Sequence, residues 1–230
     1  MAAVFSGAPV STSGAVAASK ASEEASEAIG WQGLLWEYGK AILFAVALAL
    51  VIRSFVVQAF HIPSGSMIPT FLEGDRVLVS KFSYGVRSPF SNRVLIDTGS
   101  PARGDVVIFK FPGDPKVDFV KRVMGLPGEE VELRDGILFV NGTQTPDPWG
   151  RYTGRSGLPS RNYGPARVPA DQYFMMGDNR DFSNDSRAWG CVDRSLLRGK
   201  AWRLYWSWNS DPEVPFWKRL RGGRLLTLIQ

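Results

Sequence analysis

Between Ala41 and Ile52 the chain carries no polar side chain, and its apolar character continues past Arg53 and Ser54 to Phe60. About 20 helical residues rise roughly 30 Å, the thickness of a bilayer's hydrocarbon core. Such a segment obliges part of the chain to fold in lipid and the remainder beside it. It predicts a single transmembrane anchor over 36–60, with Trp31, Trp36 and Tyr38 as an aromatic belt at its entry. Arg53 lies in the second half, where its long stem lets the guanidinium reach the exit interface. A cleavable signal peptide opens on a short basic stretch and reaches its apolar core early. Here the core begins at residue 41 after the acidic lead of Glu23, Glu24, Glu27 and Glu37, the pattern of an uncleaved anchor.

Residues 1–35 read as a disordered cytoplasmic tail, rich in Ala, Ser and Gly and without a charged side chain before Lys20. The glutamates and the lack of arginine before residue 31 argue against an organellar transit peptide. Lys20 and Lys40 precede the apolar run, whereas residues 61–80 contain only Arg76, a small excess that places the N-terminus in the cytoplasm.

Directly after the run comes His61-Ile-Pro-Ser-Gly-Ser-Met-Ile-Pro-Thr70, where Pro63 and Pro69 forbid regular helix and stiffen a turn around Ser66. A serine presented in this way is a candidate nucleophile, although the same residues also describe a plain loop leaving a helix. Beyond Thr70 the pattern has period two. Arg76–Phe82, Asp105–Phe111, Asp118–Met124, Glu130–Leu133, Ile137–Val140, Tyr173–Met176 and Ala201–Trp208 read as strands of an extracytoplasmic β domain over 61–230. Residues 141–170, loaded with Gly, Pro, Arg and Asn, read as a loop or small insertion.

One cysteine, Cys191, excludes an internal disulfide, and one cysteine with one histidine cannot build a four-ligand zinc site, so neither metal nor cofactor is expected. A Ser-His-Asp triad would have to recruit His61, five residues before Ser66, so the base is sought elsewhere. A buried lysine is the physical substitute, provided burial lowers its pKa by about 3 units toward neutrality. Lys121 shares a strand face with Phe119 and Val123, Lys81 with Val77 and Val79, and Lys110 with Val106 and Ile108. Periodicity leaves all three in contention.

The stretches Pro63-Ser-Gly-Ser-Met-Ile-Pro-Thr70, Gly74–Gly85, Arg103–Phe109 with Lys121–Gly128, and Gly177-Asp-Asn-Arg-Asp-Phe-Ser-Asn-Asp-Ser-Arg187 follow the apolar anchor in order. In this the chain resembles the bacterial type I signal peptidases, membrane-anchored Ser/Lys proteases that remove signal peptides from exported precursors. The resemblance implies a mainly β fold: one transmembrane helix followed by an antiparallel sheet or partial barrel. It also implies Ser66 as nucleophile and Lys121 as general base. The backbone N–H of Ser66 and the hydroxyl of Ser64 would hold the oxyanion, Ser183 would hydrogen-bond and orient the lysine, and Gly177, Asp185 and Arg187 would support the site. An anion aimed at the lysine would raise its pKa again, so Asp185 is expected to be neutralised by Arg187.

Cleavage after small residues at −1 and −3 is implied as well, with Ile62, Met67, Val79 and Val107 as expected walls of shallow pockets. The expected partners are secretory preproteins, bound as an added edge strand, and the lipid bilayer, with the export translocon admitted as a third. No nucleic acid is expected. The expected location is the inner membrane, single-pass, with the β domain outside the cytoplasm. A self-cleaving repressor-type Ser/Lys protease would need a DNA-binding helical domain, which the sequence does not show. The rival of another class is a non-catalytic, membrane-tethered β module that binds peptides through its basic, aromatic surface. Residues 61–230 carry 24 basic against 18 acidic side chains, and Trp202, Leu204, Trp206 and Trp208 share one face of the last strand under strict alternation. With Phe216–Arg221 they suggest either a second membrane contact or core packing.

Overall fold

The computed structural model describes residues 31–55, 57–87, 94–153 and 161–229, and the chain divides into two units, Met1–Leu50 and Val51–Gln230. Residues 1–30 of the expected tail lie outside the described residues. Residues 31–35 do not belong to a tail: they open helix α1 (Trp31–Phe55), which no proline interrupts. The window Gly33–Leu50 has a mean hydropathy of 1.5 and is uncovered by protein, with Leu35, Trp36, Leu43 and Phe44 all exposed.

The helix ends at Phe55, short of the expected Phe60. Val57–His61 is instead strand β1, paired antiparallel with β2 (Asp75–Ser80) from Val57 opposite Ser80 to His61 opposite Arg76. Counting apolar residues hid this boundary, because Val57-Gln-Ala-Phe-His61 is as apolar as a helix end yet finds a ladder of backbone partners in β2.

The remaining strands are β3 (Val86–Arg87), β4 (Val94–Ile96), β5 (Val106–Phe111), β6 (Asp114–Gly125), β7 (Glu130–Arg134), β8 (Ile137–Val140) and β9 (Thr143–Gln144). They continue with β10 (Tyr163–Arg167), β11 (Gln172–Met176), β12 (Val192–Asp193), β13 (Leu197–Ser207) and β14 (Thr227–Leu228), a short helix α2 (Ser186–Trp189) lying before β12. The large sheet runs β1-β2-β13-β5-β6-β11-β12, with β14 on β13; a second sheet runs β10-β7-β8-β9, and β3 pairs with β4. Between the described strands every pairing is antiparallel. The segment 141–170 is therefore more than a loop, since it supplies β9 and β10 as the two edges of the second sheet.

Alternation along β5 and β6 divides the core. Val106, Ile108 and Val120 pack with Ile62, Met67, Phe71, Val77, Val79, Ala201 and Leu204, whereas Val107, Phe109 and Val123 pack with Tyr84, Tyr173, Met175, Val192 and Leu197. A third cluster, centred on Val131, Leu133, Leu138 and Phe174, joins the second sheet to β6 and β11.

Strict alternation fails in β13. Bulges between Ala201 and Arg203 and between Leu204 and Trp206 each add a residue, so Leu204 is buried while Trp202 and Trp206 are exposed. The aromatic residues do not share a face with Leu204, contrary to the sequence expectation. The tail that follows is tied down by charge: Arg224 donates to the buried Asp75 at 2.6 Å and to Thr70 O at 2.9 Å, while Phe216 and Trp217 stay exposed.

Candidate active site

The prolines confine residues 63–70 to an excursion between β1 and β2 whose neck is closed by Ile62 N donating to Asp75 O and Gly74 N donating to Ile62 O. Gly74 is required at that neck: its φ is +86°, and a β carbon would stand 1.9 Å from Trp208 O. Met67 and Phe71, both fully buried, plug the excursion into the first core cluster, and the turn Gly65–Met67, which ends on the first of them, leaves Ser66 8% exposed.

Lys121 lies in β6 opposite Val107 of β5, and only 4% of it is exposed. Its Nζ is hydrogen-bonded to Ser66 Oγ at 2.7 Å, donates to Val120 O at 3.1 Å, and sits 5.3 Å from the centroid of the Phe119 ring. Burial brings the ammonium's pKa down from 10.5 to about 8, against an opposing pull from the carboxylates of Asp185 and Asp178. Near pH 8 a large fraction of this amine is thus neutral and within hydrogen-bond reach of a serine hydroxyl. Lys110, by contrast, is only half-buried, and Lys81 follows β2, at the start of the turn Phe82–Tyr84.

Strand β11 delivers the rest. Gly177 follows it, and a β carbon there would lie 2.2 Å from Ser183 Oγ and 2.5 Å from Ser66 O, so the two segments meet through a residue that must lack a side chain. Asp185 caps α2, accepts from Gly177 N at 3.0 Å, and binds Arg187 through both oxygens at 2.8 and 2.9 Å, both side chains being buried. Its charge is matched by that of Arg187. Ser64 Oγ lies 3.5 Å from Ser66 Oγ.

Two expectations are corrected. Ser183 Oγ is buried without a hydrogen-bond partner, so the bond expected to Lys121 is not formed; the amine already has Ser66 Oγ and Val120 O. Ile62, Met67, Val79 and Val107 are core residues, each at most 1% exposed, and Val107 belongs to a different cluster from the other three. They do not form open pocket walls here.

The arrangement is a buried amine on a serine hydroxyl beside two further hydroxyls, the equipment of Ser/Lys acyl transfer. The sequence pattern of the family described as "Signal peptidase, peptidase S26" matches residues 35–206. The chain belongs to this family. It is 41% identical over 216 residues to "Signal peptidase I" of Pseudomonas fluorescens, covering 79% of this chain and 76% of that one. It is 39% identical over 175 residues to "Probable signal peptidase I-2" of a Synechocystis species, covering 74% of this chain and 72% of that one. A crystal structure of a signal peptidase I from Enterococcus faecalis aligns with a TM-score of 0.38 at 29% identity, covering 44% of this chain and 97% of that one. As a member of the signal peptidase family the chain is a signal-peptide-cleaving serine peptidase, with signal-peptide-bearing preproteins as substrates.

Several residues around the site escaped sequence reasoning. Asp178 and Arg122 form a fully buried two-pronged ion pair at 2.8 Å, to which Thr70 Oγ1 also donates. Asn179 reaches Gly65 O and Ser66 O. Arg180 donates to Gly177 O at 3.0 Å and pairs with Asp147. The available signal was the density of charge immediately after an apolar strand, since four consecutive polar residues there need partners if the loop folds inward.

Proposed function

We propose that this signal peptidase family member is a membrane-anchored endopeptidase in which Ser66 attacks and Lys121 is the general base. The observation that carries this reading is the 2.7 Å contact between the buried Lys121 Nζ and Ser66 Oγ. Neutral Lys121 takes the hydroxyl proton as Oγ bonds to the scissile carbonyl carbon. The oxyanion accepts from Ser66 N–H and Ser64 Oγ–H. The ammonium then gives its proton to the departing amine, leaving an acyl-enzyme, and a water deprotonated by Lys121 hydrolyses the ester. Ser183, whose hydroxyl is buried and unpartnered, packs against Gly177 at the junction with the Ser66 turn. Asp185 with Arg187 fixes the backbone at Gly177.

Cleavage follows small residues at −1 and −3, with the substrate added as an extended strand. Helix α1 anchors the protein in the inner membrane with the N-terminus cytoplasmic and the β domain on the far side. Only the single residue 56 separates α1 from β1, so the anchor acts as a short tether that raises the effective concentration of precursors in the same membrane.

The test is cleavage of a preprotein bearing Ala-x-Ala before the cut by the full chain in detergent micelles. Ser66→Ala and Lys121→Ala are each expected to lose at least about a thousandfold in kcat. Cleavage at the parental rate by either variant removes that residue from the mechanism, and peptide binding without cleavage by the parent supports the tethered binding module instead.

A further inference from the structure

The N–H assigned to the oxyanion belongs to the peptide between Gly65 and Ser66. The carbonyl of that peptide, Gly65 O, accepts from Asn179 Nδ2 at 3.0 Å and from Ile68 N at 3.2 Å. The next peptide is gripped by the same residue, because Ser66 O accepts from Asn179 N at 3.1 Å. A peptide unit is planar, with its N–H pointing opposite to its carbonyl. Holding Gly65 O on the side of Asn179 therefore directs Ser66 N–H to the other side, and holding both flanking planes leaves the Ser66 backbone little torsional freedom. The Ile68 contact lies inside the same turn and moves with it. The Asn179 contact comes from 114 residues away and registers the turn against the segment that carries Ser183 and Asp185.

Asn179 is itself braced from behind. Arg151 N donates to Asp178 O at 2.7 Å and Arg180 N donates to Arg151 O at 2.9 Å, a parallel bridge that clasps the Asn179 backbone. Its side-chain oxygen is buried with no partner, so the amide is turned with its donor toward Gly65 although its acceptor goes unsatisfied. An orphaned buried acceptor is unfavourable, and here it accompanies a donor committed to the nucleophile's own turn.

We propose that Asn179 is a positioning residue for transition-state stabilisation: it aims the oxyanion-binding N–H of Ser66 through the Gly65 carbonyl without touching the substrate. This rests on the Ser66/Lys121 reading. The experiment compares full-length parent, Asn179→Asp, Asn179→Ala and Ser66→Ala in micelles, measuring kcat and KM on an Ala-x-Ala preprotein. It also measures the affinity of a peptide aldehyde that forms a tetrahedral adduct with serine, and thermal unfolding. Asn179→Asp keeps the shape and sets a carboxylate oxygen against Gly65 O; Asn179→Ala removes the donor without adding charge.

Loss of an oxyanion donor costs about 10²–10³ in kcat, and misdirecting one costs less. Both Asn179 variants are therefore expected to lose about 10–100-fold in kcat with KM within twofold. Aldehyde affinity should fall by the same factor as kcat/KM, and Asn179→Ala should retain the parental pH profile, since Lys121 is untouched. Parental kcat in both variants while Ser66→Ala is inactive overturns the inference and leaves the dyad standing. A rise in KM at constant kcat, or a loss that only follows the fraction of protein unfolded, also overturns it. Undiminished cleavage by Ser66→Ala overturns the dyad reading itself.

Discussion

Lys121, the proposed base, sits where its charge is disfavoured. An amine held at a pKa of about 8, from an ordinary 10.5, is penalised in its charged form by burial. As the proposed base Lys121 would work only when neutral, so kcat/KM is expected to climb tenfold per pH unit below about 8 and to level off above it, as a pH–rate profile will show. The stability consequence has a defined sign. Between about 8 and 10.5 the unfolded chain holds the proton that the folded chain has released, so stability rises with pH across that window, and below it the full penalty applies. Lys121→Met is thus expected to be inactive yet about 3 kcal/mol more stable at pH 6–7, a gain that shrinks toward pH 10.5 in urea melts. A flat activity profile or an unstabilised Met variant would contradict a desolvated lysine. Lys121 was only partly legible in the sequence: alternation put it on an apolar face but did the same for Lys81 and Lys110, and the order of motifs separated them.

Strands that meet in register make the site, and the junction after β11 has the smallest tolerance. Gly177 stands where any β carbon would fall within 2.5 Å of Ser183 and of Ser66 O. Gly177→Ala must therefore push β11 away from the 63–70 excursion, and cleavage is expected to fall by roughly 100-fold or more, the scale of an ångström's misplacement at a reacting centre. A crystal structure of the variant should show the Lys121–Ser66 hydrogen bond lengthened. The elements themselves were legible wherever period two was clean, as in β5, β7 and β8, whose limits lie within a residue of the alternating runs. They were illegible where alternation was broken or disguised. Nothing in Ala201–Trp208 reports its two bulges, which are set by the register with β2, and nothing in Val57–His61 reports that its backbone bonds go sideways to β2. Asn179 is the counterpart within the site, because its two contacts depend on a fold that places residue 179 beside residues 65 and 66.

At the scale of the molecule, the Arg122–Asp178 pair fastens four chain segments, since Arg122 also donates to Gly104 O at 2.6 Å and Asp178 also accepts from Thr70. Both charges are fully buried, so removing one strands the other. Asp178→Ala is expected to lower the unfolding free energy by about 3–5 kcal/mol, and Arg122→Met combined with Asp178→Leu to recover most of that loss, both read from denaturant midpoints. The contacts around Ser66 also carry an order of events. Lys121 and Ser66 are 55 residues apart, Asn179 is 114 from the turn it grips, and Arg224 is 154 from the Thr70 carbonyl it holds. Closing loops of such length is entropically unfavourable until the strands between them have paired. On the proposed reading, a chain whose strands have not yet paired therefore holds Ser66 and Lys121 as separate side chains without hydrolytic capacity.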